Sequence, residues 1–63
     1  MTAAEILLEL RARLESRRDV YRESSRRAAH NGHHEESRAY DSWSASMSEA
    51  LTVLGEVERK CNR

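Results

Sequence analysis

The chain contains no proline and no phenylalanine, two glycines, one cysteine, and no apolar run longer than Ile6-Leu7-Leu8. Each absence removes a class of protein. A lone Cys61 cannot build an intrachain disulfide framework, and the Cys/His spacing of a zinc finger is missing. Short apolar runs exclude a membrane-spanning helix, and the scarcity of glycine and proline excludes a collagen-like chain. The Met-Thr-Ala-Ala-Glu opening lacks the basic region and long apolar stretch of a signal peptide, so a cytoplasmic protein is expected. Charge of one sign is also missing, because 11 Lys and Arg balance 11 Asp and Glu. Sixty-three residues make one domain. Below about 70–80 residues a single core rarely supplies more than ~3–5 kcal/mol, so self-association or a partner is expected to complete the fold.

What remains is dense in helix formers. From Thr2 to Asn31 the sequence runs without glycine or proline and is rich in Ala, Leu, Glu and Arg. Thr2 and Glu5 have the spacing of a capping box and place the first helix start beside them. Asn31-Gly32 tolerates the left-handed backbone in which helices stop, which predicts a first helix over about 2–30 and a turn at 31–33. Glu35 and Glu36 then supply the negative charge favoured in a first helical turn, predicting a second helix over about 34–60. The alternation of Ser42, Ser44, Ser46 and Ser48 with larger residues has a strand period. No second alternating segment exists to pair with it, so the helical reading prevails. Gly55 inside the second helix marks a close helix contact or a softened last turn.

The fold class expected is all-α: an antiparallel helical hairpin dimerising into a four-helix bundle. A 3-4 spacing selects Ala3, Leu7, Leu10, Leu14, Arg17, Tyr21, Ser24 and Ala28 on the first helix. It selects Glu36, Tyr40, Trp43, Met47, Ala50, Leu54, Val57 and Cys61 on the second. Reversal at Gly32 sets residues whose numbers sum to 64 opposite one another, including Leu10 with Leu54 and Tyr21 with Trp43. These stripes are expected to form the seam between the helices. Ile6, Leu8, Val20, Leu51 and Val53 fall outside the seam and are assigned to a dimer interface, since a stripe this wide implies a further helical neighbour. Docking of that stripe on another protein is the alternative.

Residues 1–29 carry seven arginines against five acids, whereas residues 30–58 carry Arg38 against six. Arg18, Arg22 and Arg26 are spaced by four and form a ridge. Guanidinium forks suit phosphate or carboxylate, so this ridge is a candidate surface for an acidic protein or a nucleic acid. A solvated face laced with Glu15, Asp19 and Glu23 is the plain alternative, and zero net charge argues against nucleic acid. Tyr21, Tyr40 and Trp43 join the arginines as candidate partner-binding residues, because aromatics and arginine are enriched at binding hot spots. Arg17, expected at the seam, would lie its stem over apolar surface and send its head to water.

No catalytic residue, cofactor site or metal site is expected. His30, His33 and His34 hold ligand atoms, but a turn holds tetrahedral geometry poorly. Cys61 is expected to be a free thiol. Within one hairpin it lies about 40 Å from the histidines, too far for a nucleophile and its base. There is no glycine-rich phosphate loop and no room for an ordinary substrate pocket.

The short length, the Thr2-Ala3-Ala4-Glu5-Ile6-Leu7 opening, the Asn31-Gly32 turn and the use of Arg over Lys resemble small two-helix proteins of bacteriophages infecting GC-rich bacteria. The resemblance is to the quorum-sensing anti-activator type, and it implies a dimeric hairpin that binds and inhibits a host regulatory protein in the host cytoplasm. The architecture is also similar to plasmid copy-number regulators, whose helical hairpins dimerise and bind paired RNA loops. That likeness implies the alternative of a nucleic-acid-binding regulator using the arginine face.

Overall fold

A computed structural model describes residues 1–61. The chain folds as two antiparallel helices, α1 (Ala3–His30) and α2 (His34–Cys61). The expectation of a free thiol concerns the Cys61 side chain, which lies outside the described ones. The first helix starts where its capping box requires. The Glu5 amide donates to Thr2 Oγ1 at 3.1 Å and the Thr2 amide donates to Glu5 Oε1 at 3.3 Å, satisfying two amides that a helix start leaves orphaned.

The turn closes by backbone chemistry. Gly32 sits at φ +80°, the left-handed region that its missing Cβ permits. The His33 amide then reaches back to the Ala28 carbonyl at 2.7 Å, and the Gly32 amide to Ala29 at 3.1 Å, the paired bonds of a Schellman stop. Three linking residues force the helices to lie side by side. The Ser42–Ser48 stretch is continuous helix.

The seam differs from the one the hydrophobic pattern predicts. Low exposure follows a 3-4 progression through Leu7, Arg11, Leu14, Arg18, Tyr21, Ser25 and Ala28 on α1. On α2 it follows Ser37, Tyr40, Ser44, Met47, Leu51, Leu54 and Glu58. Half of the expected seam is therefore displaced by one residue. Arg18 stands where Arg17 was expected, Ser44 where Trp43 was, and Glu58 where Val57 was. Trp43 is 50% exposed, Leu10 44% and Val57 43%, values incompatible with a seam.

The physical reason is size and satisfaction. Ser25, Ala28, Ser37 and Ser44 are all buried and small, which lets the backbones approach near the turn. A tryptophan and a leucine there would hold the helices apart. The rotation also pairs polar groups across the seam. Ser25 Oγ lies 2.5 Å from Asp41 Oδ1 and 3.0 Å from Ser37 Oγ. A hydroxyl has one proton to donate, so Ser25 gives it to the carboxylate and accepts from Ser37. At the open end Arg11 donates through Nε and Nη2 to Glu58 Oε1. This bond to Glu58 raises the pKa of Arg11 above its already high ordinary value. Among the described side chains, no buried polar atom lacks a partner.

The apolar core is correspondingly slight. Ala28 and Leu54 are the buried hydrophobic residues among those described. The Cα positions span 48 × 19 × 10 Å, a slab one helix thick. No described helix is long and apolar enough to cross a membrane.

Candidate functional site

Displacing the seam leaves the apolar stripes of both helices on one open face of the slab. Leu7, Leu10, Leu14, Ala50, Val53, Leu54 and Val57 line a single groove of about 550 Å³ between the helices. Leu10, expected to meet Leu54 inside the seam, instead borders this groove, while Leu54 stays buried at its floor. The stripe was legible as a stripe. Its direction was not.

Nearer the turn the same face carries an aromatic cluster. The Trp43 ring lies 5.3 Å from Tyr40 in an edge-on arrangement and 5.7 Å from Tyr21, and the two tyrosines stack at 6.4 Å. Such edge-on and offset contacts suit the ring quadrupoles. Tyr21 and Tyr40 are half-buried, so the cluster stands on the helix pair with Trp43 as its exposed tip. Beside it a more polar hollow is bordered by Ser24, Arg27, Asn31, His33, Glu36 and Tyr40.

The arginine ridge lies elsewhere. Each step along a helix turns about 100°, so Arg22 points well round from Tyr21, toward the polar back of the slab. The partner surface expected from Arg18, Arg22, Arg26, Tyr21, Tyr40 and Trp43 thus divides into two, aromatics on the open face and arginines behind it. Two of the three arginines are already engaged. Arg18 Nε contacts Asp19 at 3.1 Å and Arg26 Nη2 contacts Glu23 at 2.7 Å. Glu23 also holds Arg27 at 3.5 Å, so local carboxylates offset much of the positive charge that a phosphate would need.

The residues assigned to a dimer interface also separate. Val53 borders the groove, and Ile6 lies with Glu9, Leu10 and Arg13 around a shallow hollow on the same flank of α1. Val20 shares a second hollow with Ser16, Arg17 and Tyr21. Leu51 instead belongs to the hairpin's own seam, and Leu8, 67% exposed, stands about 100° round from Leu7 on the other flank. Arg17 is exposed at the edge of the open face rather than at a seam position.

The histidines sit at the turn, where His33 Nδ1 lies 3.5 Å from Glu36 Oε2. Among the described residues no three His, Cys, Asp or Glu side chains gather as a metal site. Arg11, Ser25, Ser37, Asp41 and Glu58 were missed by the sequence reading, although Arg11 continues the Leu7–Leu14 spacing and Glu58 lies one turn beyond Leu54. Comparison with protein families, curated proteins and solved structures finds no match for this chain.

Proposed function

We propose that the chain is a small non-enzymatic protein–protein interaction module that acts through its open apolar face, and that it works as a homodimer in a four-helix bundle. One observation carries this reading. The large apolar side chains Leu10, Val53 and Val57 line an open face, while the most buried places in the seam beneath go to Ser25, Ala28, Ser37, Ser44 and Leu54. A monomer soluble in water rarely presents so contiguous an apolar patch without a use for it. The aromatic tip at Trp43 adds the residue type most enriched at binding hot spots.

The proposal includes a phage or mobile-element protein that binds and inhibits a host regulatory protein in the host cytoplasm. Its support is the resemblance in length, opening sequence and hairpin architecture. Nucleic-acid binding through Arg18, Arg22 and Arg26 has less support, because Asp19 and Glu23 pair with two of these side chains and the net charge is zero.

Affinity capture with the immobilised chain tests the reading. Wild type should retain protein, a second copy included. A Leu10→Asp, Trp43→Ala variant should lose it, and an Arg22→Glu variant on the back should keep it. Capture of nothing by wild type, or equal capture by the front-face variant, would overturn the proposal.

A further inference from the structure

We infer that the open face is covered by a second copy of this chain, related by a two-fold axis parallel to the helices. Both turns then lie at one end, and α1 of each copy lies over α2 of the other. The inference rests on the interaction reading above and names the first occupant of that surface.

Area points to a partner of this size. A compact monomer of 7.3 kDa is expected to expose roughly 4,200 Å², whereas this chain exposes 5026 Å². The excess of roughly 800 Å² matches what one partner contributes to a standard protein interface. Shape agrees with area. The slab is 10 Å thick and 19 Å wide, so a second slab at a normal helix separation of about 8–10 Å gives a nearly square cross-section. Every helix then has two antiparallel neighbours, the geometry of a four-helix bundle.

Two face-to-face arrangements have two-fold symmetry, and the side chains distinguish them. With the turns at one end, the leucine-rich half of each copy covers the same half of the other, and aromatic cluster meets aromatic cluster. With the turns at opposite ends, Leu7, Leu10 and Val57 would instead lie over the turn half, toward the polar hollow at Ser24, His33 and Glu36.

Charge makes the same choice. Arg13 and Arg17 edge the open face on α1, and Glu49 and Glu56 edge α2 at similar heights, as the cross-helix contacts Arg11–Glu58 and Tyr21–Trp43 indicate. Among the described residues Arg17, Glu49 and Glu56 have no ion-pair partner. Laying α1 over α2 sets the basic edge of one copy beside the acidic edge of the other, at two symmetric places. The opposite arrangement lays α1 over α1 and brings arginines together, and like charges so placed select against a docking mode.

Sedimentation equilibrium of the full chain under reducing conditions tests the inference, with helix content followed by circular dichroism. Wild type should be a dimer at micromolar concentration. Arg17→Glu and Glu49→Arg should each weaken dimerisation by about 3–10-fold, since each acts twice in a symmetric dimer and exposed pairs are individually modest. The combined variant should return to within about twofold of wild type, because the reversed charges again face each other. A helical wild-type monomer would overturn the inference together with the homodimer proposed above, and the capture experiment would then decide independently whether the face binds another protein. A dimer whose combined variant stays as weak as the single variants would overturn the arrangement.

Discussion

Removing the Ser25 hydroxyl tests whether the polar seam holds the helix pair. Ser25 is 7% exposed, and its oxygen joins α1 to both Ser37 and Asp41 on α2. In Ser25→Ala the Asp41 carboxylate is exposed and regains water, but the buried Ser37 hydroxyl loses its cross-helix acceptor. Loss of a bond to a charged group together with a neutral one is worth about 2–3 kcal/mol before this resolvation, and about 1.5–2 kcal/mol after it. Alanine recovers about 0.5 kcal/mol through better helix propensity, leaving a net loss of about 1–1.5 kcal/mol. For a chain of this size that lowers Tm by roughly 5–10 °C. Thermal unfolding followed by far-UV circular dichroism measures it. Protein concentration must be matched, because a dimer's Tm depends on concentration. Ser46→Ala is the control, since Ser46 is exposed and bonds only to the Ser42 carbonyl one turn back. It should be neutral or slightly stabilising. A Ser25→Ala Tm equal to that of Ser46→Ala would refute the structural role given to the seam hydroxyls.

Other perturbations read other parts of the fold. Gly55→Ala should raise stability by about 1 kcal/mol in urea unfolding through helix propensity, because a Cβ there meets only Arg11 Nη2 at 3.8 Å. Gly32→Ala should lower stability by about 1–2 kcal/mol in the same assay through left-handed backbone strain, since nothing lies within 4 Å of the added Cβ. Thr2→Ala should cost about 1 kcal/mol by removing the cap, with helix loss greatest near the start of α1 in hydrogen exchange. The sole tryptophan reports on the open face: dilution through the dimer dissociation range should shift Trp43 emission to the red as its ring regains water. Unchanged emission across dissociation would place Trp43 outside the covered surface.

The local signals in the sequence were strong because they are short-range. Thr2 and Glu5 satisfy each other within one turn, Gly32 supplies the positive φ at the turn, and the sequence has no proline to break a helix. The seam was harder to read because hydrophobicity marks a stripe without saying which neighbour covers it. In a long bundle the largest apolar residues face inward from every helix. In one hairpin the stripe is wide enough to rotate, and the closest approach goes to small side chains. Ser25, Ser37 and Ser44 give no hydrophobic signal in the sequence, yet they are buried between the helices and let them meet. Arg11 and Glu58 carry charge and so fall outside any hydrophobic stripe, although their spacing continues the seam. Of the proposed partner surface, the aromatic cluster was legible from composition and register, while its separation from the arginine ridge required the helix rotation.

The distance between two turns tests the account most directly. A spin label at exposed Glu35, introduced as Glu35→Cys in a Cys61→Ser background, places one probe per copy near the turn. If each chain presents its apolar face to a second copy with turns together, pulsed dipolar spectroscopy should give a distance below about 30 Å, set by the diagonal of a bundle with about 10 Å between helix axes. A distance of about 40 Å, approaching what helices of this length impose when turns lie at opposite ends, would contradict it. So would the absence of any dipolar signal at concentrations where the chain is folded.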